Sequence, residues 1–340
     1  MRLLVCGGAG FIGSGFVRRM LAKHADWEIV TFDKLTYAGN RENLTTVAKD
    51  PRHTFIRGDI CDRRAVEAGV HRRGCVDAIV NFAAETHVDR SIADPESFLR
   101  TDILGTHTLL EVVRELEVGK LVQVSTDEVY GSIESGSFCE ADRLAPSSPY
   151  SASKAGGDLQ VLAYHATYGT PACITRGSNT YGSHQYPEKL VPLFVTNALE
   201  GKRLPMYGDG LNVRDWLHVD DHCDGVEAAA LRGEPGEVYN IGGGNECTNR
   251  EIASIILDEL GLSEDIIERV ADRPGHDRRY SIACDKAREA LEWEPAVEFE
   301  AGLRETIRWY RDNQAWWRPI KHAAGEFAAW EKRWYGSRSA

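Results

Sequence analysis

The chain contains no run of eighteen apolar residues, so nothing in it reads as a membrane-crossing helix. It has no lysine- or arginine-rich run either, and its formal net charge is −12 over 340 residues. Nucleic acid and anionic membrane are therefore not expected as partners. An anionic ligand must be met by local devices, such as a helix N-terminus or a few arginines. The eight cysteines (Cys6, Cys61, Cys75, Cys139, Cys173, Cys223, Cys247 and Cys284) form no Cys-x-x-Cys pair and no Cys/His cluster. That leaves neither a disulfide framework nor a zinc site, and no metal is expected. Reduced thiols of a cytoplasmic protein are the simple reading. Met1 leads straight into Leu3-Leu4-Val5, so no signal peptide is expected. Internal repeats, low-complexity tracts and flexible linkers are absent as well.

What is present is an ordinary globular composition, 42% hydrophobic and 27% charged. The length suffices for one large domain or two smaller ones with ample core. Residues 2–5 read as a short buried strand, followed by Gly7-Gly8-Ala9-Gly10-Phe11-Ile12-Gly13 and an amphipathic helix to about Lys23. Glycines between strand and helix permit a tight turn and let the backbone approach a pyrophosphate, whose charge the helix N-terminus meets. The next strand, from Glu28 to Phe32, ends at Asp33, twenty residues after Gly13. A carboxylate at that spacing accepts hydrogen bonds from an adenosine ribose and repels a 2′-phosphate, favouring NAD over NADP. A strand from Thr54 to Arg57 leads to Gly58-Asp59-Ile60, placed to border an adenine. Another, from Ala78 to Phe82, runs into Ala83-Ala84-Glu85-Thr86-His87, where small residues let a cofactor lie against the backbone. His87 suits either an acid–base part or a structural one, and the structural part is favoured.

A long helical stretch from about Pro95 to Glu117 precedes a strand from Lys120 to Val124 and the run Ser125-Thr126-Asp127-Glu128-Val129-Tyr130-Gly131. Tyr150 and Lys154, in Tyr150-Ser151-Ala152-Ser153-Lys154, are four residues apart and share a helix face. An ammonium beside a phenol favours the phenolate and lowers a pKa that ordinarily lies near 10. Thr126 stands where its hydroxyl can bond that phenol. Asp127 and Glu128 add two carboxylates, and three acid–base groups imply more than one proton transfer. The Tyr150 helix runs to about Tyr168, and a further strand covers Ala172–Thr175. Strands alternating with helices argue for a doubly wound, Rossmann-like parallel sheet of the α/β class.

Beyond Thr175 the pattern changes. Arg176–Gly182 reads as a loop and Pro187–Leu199 as a helix with Pro187 in its first turn. Leu204–His218 is rich in turn residues, bases and aromatics and looks like a ligand-facing strand and loop. A helix over 219–232 and a strand over Val238–Ile241 return to the first sheet, and Thr248 caps a helix to about Leu260. Arg273–Arg279 concentrates positive charge of the kind phosphates need. A helix over Ala301–Asn313 packs some of Trp309, Tyr310, Trp316, Trp317, Trp330, Trp334 and Tyr335. The expected division is an NAD-binding part over 1–175 plus about 217–241. A smaller, mostly helical α/β substrate-binding part covers about 176–216 and 242–320, and 321–340 is a C-terminal extension.

Taken in order, these residues resemble the extended short-chain dehydrogenase/reductases and, within them, the dTDP-glucose 4,6-dehydratases. The carriers are Gly7–Ser14, Phe32–Asn40, Ala83–Ser91, Ser125–Gly131, Pro149–Lys154, Pro187–Leu190, Asn212–Trp216 and Arg273–His276. Gly15, Gly177, Thr180 and Ser183 depart from the family pattern. The resemblance implies conversion of dTDP-glucose to dTDP-4-keto-6-deoxyglucose and water, by internal hydride transfer from C4 to C6 through bound NAD. Tyr150 would take the O4 proton with Lys154 and Thr126 in support, Glu128 the C5 proton, and Asp127, protonated, would donate to the departing C6 hydroxyl. The cofactor would touch Gly7, Gly10, Phe11, Ile12 and Gly13, then Asp33, Lys34, Leu35 and Thr36, with Asp59 and Ile60 at the adenine. Phe82, Ala83, Ala84, Thr101, Tyr150, Lys154 and Thr180 would complete its site. For the substrate, Thr86, His87 and Thr126 face the sugar, and Asn179, Lys189, Arg214 and Arg273 the diphosphate. Leu190, Pro205, Tyr207, Asn249 and His276 lie near the base. The helices over 95–117 and 149–168 would pair two copies as a homodimer.

Three rivals share features. A UDP- or GDP-hexose dehydratase needs the same chemistry. A nucleotide-sugar 4-epimerase needs Tyr150 and Lys154, but it eliminates nothing and has no use for the Asp127–Glu128 pair. A nucleotide-sensing binding protein has no use for Thr126, Tyr150 and Lys154 together.

Overall fold

The computed structural model describes residues 1–322 together with Phe327, Ala329, Trp330 and Trp334. Short aliphatic runs become strands: β1 (Arg2–Cys6), β2 (Glu28–Asp33), β3 (His53–Arg57), β4 (Ala78–Asn81), β5 (Leu121–Thr126) and β6 (Ala172–Gly177). The chain continues through β7 (Asn179–Tyr181), β8 (Leu204–Tyr207), β9 (Val213–His218), β10 (Val238–Ile241), β11 (Glu246–Thr248) and β12 (Ile267–Val270). Seven of them form one parallel sheet in the order β3-β2-β1-β4-β5-β6-β10. β5 and β6 are buried at every position, as befits central strands covered on both faces. The chain direction of assembly reverses between β1 and β4, the place where such sheets open a ligand crevice at their carboxyl ends.

On one face Phe16, Val17 and Met20 of the helix Phe11–Lys23 pack with Cys223 and Val226 of the helix Val219–Arg232. On the other face lie Leu109, Leu110 and Val113 from the helix Thr106–Glu115 and Val161 and Tyr164 from the helix Pro149–Tyr168. That last helix has a firm start. Ser148 and Ser151 form a capping box around Pro149, which fixes the first turn carrying Tyr150.

A separate core joins Phe194, Trp216, Ile252, Ile256, Ile307, Tyr310, Trp317 and Phe327. Around it lie the three-stranded sheet β11-β9-β7, the pair β12-β8 and the helices Leu190–Leu199, Asn249–Leu260 and Phe299–Asp312. Lys321 is buried there and donates to Thr196 Oγ1 at 3.1 Å, Asn197 Oδ1 at 2.8 Å and Glu200 Oε2 at 3.0 Å. Most of 321–340, including Tyr335, lies outside the described residues. Among the described residues no helix is long and apolar enough to cross a membrane, and no cluster of metal-binding side chains occurs.

The structure corrects the expected loop over Arg176–Gly182. Here β6 runs on to Gly177 and β7 pairs with β9, so the segment is mostly extended. The helix expected from Pro187 begins at Leu190, with Lys189 at its N-cap. The helical run beginning at Pro95 holds an irregularity that no periodicity reveals: Leu99–Gly105 is wound as a π-helix between Pro95–Phe98 and Thr106–Glu115.

Candidate active site

β5 ends in Ser125 and Thr126, and one 3-10 turn, Asp127–Tyr130, follows directly. Thr126 caps this turn by accepting from the Glu128 N–H at 3.2 Å, and its hydroxyl reaches Asp127 Oδ1 at 3.2 Å. Gly131 then takes a φ of 83°, where a side chain would also meet the Ala145 carbonyl oxygen at 2.4 Å, and this ends the turn. The two carboxylates are thereby fixed to the last residue of the central strand. Asp127 is 2% exposed, whereas Glu128 is half-buried. Burial, the charge of Glu128 and then that of Asp215 push the Asp127 pKa well above the ordinary carboxylate value. Burial thus favours the protonated form of Asp127 next to a second, half-buried carboxyl group.

Tyr150 lines the same cavity wall as Thr126, whose hydroxyl favours the phenolate. Its pKa goes the other way from the expected depression by Lys154. Burial is the largest cause, and the carboxylates of Glu128 and Asp102 add to it, so the phenol lies well above its ordinary value. The Lys154 ammonium is buried and donates to the Val124 carbonyl oxygen at 2.8 Å. Asp102, missed in the sequence, completes the group. The π-helical turn carries it, 2% exposed, to Ser153 Oγ at 2.6 Å and the Glu85 N–H at 3.2 Å. Burial raises its pKa to about 6 against the pull of Lys154. Glu85 beside it is raised to about 7, by burial and by Asp102.

These groups open into a cavity of about 290 Å³ that extends along the carboxyl ends of β1, β2 and β4. Gly7, Gly10, Phe11, Ile12 and Gly13 form one wall, with Asp33, Lys34, Thr36, Asp59, Ile60, Phe82, Ala83, Ala84 and Thr101 beyond. The backbone comes so close here that a Cβ on Gly7 would stand 2.5 Å from the Ala83 nitrogen, and one on Gly13 would stand 2.3 Å from the Gly7 carbonyl oxygen. The helix Phe11–Lys23 starts at Gly10 without a side-chain cap, so its first N–H groups face the cavity wall unshared by a cap. Asp33 holds the turn by accepting from the Ala9 N–H at 2.9 Å and the Leu35 N–H at 2.8 Å. Asp59 is bridged by Lys34 at 2.8 Å. Leu35 is the exception among the expected residues: it is not on the wall, because its φ of 59° turns its backbone toward Asp33. A glycine cradle, an open helix N-terminus and a carboxylate at the ribose distance fit a dinucleotide.

A second cavity of about 140 Å³ meets the first at Glu128, Asn179, Lys189, Leu190 and Trp216, which line both. It gathers His87, Pro205, Tyr207, Arg214, Asn249, Arg273 and His276, residues far apart in sequence. Thr86 lies on the first cavity instead, and its carbonyl oxygen accepts from Lys189 Nζ. Arg214 is anchored to the Val213 and Asp277 carbonyl oxygens at 2.7 and 2.9 Å, with its guanidinium 4.2 Å above the Tyr280 ring. Arg273 lies 3.6 Å from Asp89, which also accepts from the Tyr207 hydroxyl at 2.8 Å. Three cations around one cavity, Arg214 buried and Lys189 and Arg273 half-buried, in a chain of net charge −12 mark an anion site. His87 is neutral here: burial and the nearby Lys189 hold its pKa well below the usual imidazole value, and its ring packs edge-on against Trp330 at 5.2 Å. Trp334 Nε1 donates to the Tyr207 hydroxyl at 2.6 Å, so described residues of the C-terminal extension reach this cavity's surroundings.

The sheet order, the glycine turn and the Thr-Tyr-Lys group define a dinucleotide-dependent enzyme of the short-chain dehydrogenase/reductase class. Residues 4–306 match the family described as GDP-mannose 4,6 dehydratase. A dTDP-glucose 4,6-dehydratase of Streptomyces antibioticus is 54% identical over 326 residues, covering 94% of this chain and 96% of the relative. DesIV, the dTDP-glucose 4,6-dehydratase of Streptomyces venezuelae solved with NAD and TYD bound, superimposes with a TM-score of 0.91 at 54% identity, covering 94% of this chain and 100% of that one. The Bacillus anthracis dTDP-glucose 4,6-dehydratase in complex with NAD gives 0.88 at 52% identity, over 94% and 99%. The chain belongs to the dTDP-glucose 4,6-dehydratase family.

Proposed function

We propose that this protein dehydrates dTDP-glucose to dTDP-4-keto-6-deoxyglucose, with NAD bound in the larger cavity and the nucleotide sugar in the smaller. The observation that carries this reading is the buried Asp127, its protonated form favoured by burial beside Glu128, next in sequence to Thr126 and on the same cavity wall as Tyr150. Bound NAD supplies a hydride acceptor and, when oxidised, a cationic ring that favours the Tyr150 phenolate. Tyr150 takes the proton from the sugar O4, Thr126 holds the phenol oxygen, and Lys154 fixes the strand end through Val124. A ketone at C4 makes the C5 hydrogen acidic, and Glu128 removes it. Asp127 gives its proton to the departing C6 hydroxyl, so water leaves with charge balanced at both ends. Lys189, Arg214, Arg273 and Asn179 hold the diphosphate. Tyr207, Leu190, Pro205, Asn249 and His276 border the base. A 4-epimerase would use Tyr150 and Lys154 but leave the acid and base of the 3-10 turn idle, which favours elimination.

The chain divides by task. The large sheet and its helices serve the cofactor, and residues from β7–β9 onward, except β10 and the helix before it, serve the nucleotide sugar. We also propose a homodimer through the helical faces carrying Leu99, Leu104, Leu159 and Tyr168, which are 52%, 45%, 57% and 58% exposed. All eight cysteines are free, consistent with a reducing, cytoplasmic setting.

Incubation with dTDP-glucose and no added reductant tests the function, read as the alkali-induced absorbance of a 4-keto-6-deoxy sugar. The signal is expected in the parent and reduced in Asp127→Asn and Glu128→Gln. Conversion to the C4 epimer instead would promote the epimerase, and faster turnover of the UDP- or GDP-linked hexose would reassign the base.

A further inference from the structure

His222 belongs to none of the groups assigned so far, yet it lies on the larger cavity's wall beside Gly177, Ser178 and Thr180. It comes from the first turn of the helix Val219–Arg232 and is 2% exposed. Its Nδ1 stands 2.7 Å from the Thr180 hydroxyl oxygen, and that hydroxyl stands 3.1 Å from the Ser178 carbonyl oxygen. A hydroxyl has one proton to give, and the carbonyl can only accept. Thr180 therefore donates to Ser178 and accepts from His222, which places the imidazole proton on Nδ1. Burial lowers the His222 pKa to about 4, so the ring carries no second proton at neutral pH. Nε2 is left as a bare lone pair, buried and with no hydrogen-bond partner among the described residues. The ring fits because residue 177 has no side chain: a Cβ there would stand 2.4 Å from Cε1 and 2.8 Å from Nε2.

Its position narrows the ligand. Gly177 is the register partner of Thr126 on the neighbouring strand, so His222 sits at the reacting end of the cavity, away from Asp33 and Asp59. A buried acceptor there needs an N–H or O–H donor from whatever occupies that end. We propose that His222, its tautomer set by Thr180, accepts a hydrogen bond from the carboxamide NH₂ of the nicotinamide and so fixes which face of the ring meets the sugar. This rests on the reading that NAD occupies the larger cavity. His222 is then a positioning residue that touches the cofactor and takes no proton in the reaction.

The test compares binding of NAD with that of its 3-acetylpyridine analogue, whose acetyl group has no N–H to give, to nucleotide-stripped protein by calorimetry. In His222→Phe and in the shape-matched Thr180→Val, the preference for NAD over the analogue is expected to fall roughly 3- to 10-fold, the value of one net hydrogen bond. Nearly all of that fall should come from weaker NAD binding. Equal weakening of both ligands, or an unchanged ratio, would overturn the assignment and make His222 a packing residue or a partner of a sugar hydroxyl. Should His222→Phe fail to fold, Thr180→Val decides alone. A parent that binds neither dinucleotide would sink the NAD reading itself.

Discussion

Asp127→Asn separates the acid's part in elimination from every other function of the site. The amide matches the carboxyl group in volume and can still meet Thr126, so the 3-10 turn and the Tyr150–Thr126 contact remain. What disappears is a proton that can be given to the C6 oxygen. A positioned general acid contributes about 10²- to 10⁴-fold, equivalent to about 2.7–5.4 kcal/mol of barrier. The kcat for dehydration is expected to fall by that factor while KM stays within about threefold, because Asp127 does not touch the anion site. Removal of the C4 hydride uses Tyr150 and precedes elimination, so reduced cofactor should accumulate on the variant and show its near-ultraviolet band in single turnover. The pH profile supplies an independent sign. Asp127 has its folded pKa raised above the unfolded value, so the acid is present below that raised pKa and is lost as pH rises through it. The alkaline fall in parent kcat should therefore weaken in the variant. By the same linkage the parent loses stability as pH rises above the ordinary carboxylate range, and Asp127→Asn, which cannot ionise, should melt higher than the parent at neutral pH. Loss of activity without accumulation of reduced cofactor would refute the reasoning, since the first hydride step would then depend on Asp127 too.

Gly13→Ala puts a methyl group 2.3 Å from the Gly7 carbonyl oxygen, and backbone cannot give way as a side chain can. NAD binding should weaken roughly 5- to 150-fold, from about 1–3 kcal/mol of overpacking, with an unchanged far-ultraviolet circular dichroism spectrum. Lys321→Met removes donors to Thr196, Asn197 and Glu200 and should cost about 1–3 kcal/mol in urea unfolding, with KM unchanged. Although burial opposes it, hydrogen bonds from Lys202, His322 and Lys321 hold Glu200 down to about 2. The contribution is therefore full at neutral pH and fades as pH falls from the ordinary carboxylate range to about 2. Leu159→Arg places a charge on the exposed face of the helix Pro149–Tyr168 and should yield monomers by sedimentation where the parent sediments as a dimer; a monomeric parent would remove the pairing proposal.

Features written in local sequence were legible. The glycine turn, Asp33 and the Tyr150–Lys154 spacing each depend on neighbours within a few turns of chain, and the sheet follows from its alternation with helices. The charge of Arg273–Arg279 was legible in the sequence, but its grouping with Lys189 and Arg214 came only through the resemblance, since these lie on segments that meet only in the folded protein. Asp102 escaped because a wide helical turn aims it, and periodicity assumes a regular helix. His222 escaped because its partners arrive from β6 and β7, more than forty residues earlier. The sign of the Tyr150 shift was misjudged for a related reason: spacing shows the lysine, but burial and the charges of Glu128 and Asp102 are set by packing.

The turn Leu99–Gly105 makes part of the site depend on a residue count. A π-turn holds one residue more than an α-turn, so it is an insertion absorbed without leaving the helix. Deleting one residue there would let the run close into regular α-helix and rotate the two sides against each other by about 100°. Leu109 and Leu110 are wholly buried under the sheet and hold their side in place. The side that swings is the one presenting Asp102 to Ser153 and Thr101 to the cofactor cavity. Substitution scanning across 99–105 would report on single side chains such as Asp102 and Gly105 and miss the turn itself, because no single side chain creates it. A single-residue deletion would find it at once, as a folded protein whose Lys154 has lost its neighbouring carboxylate.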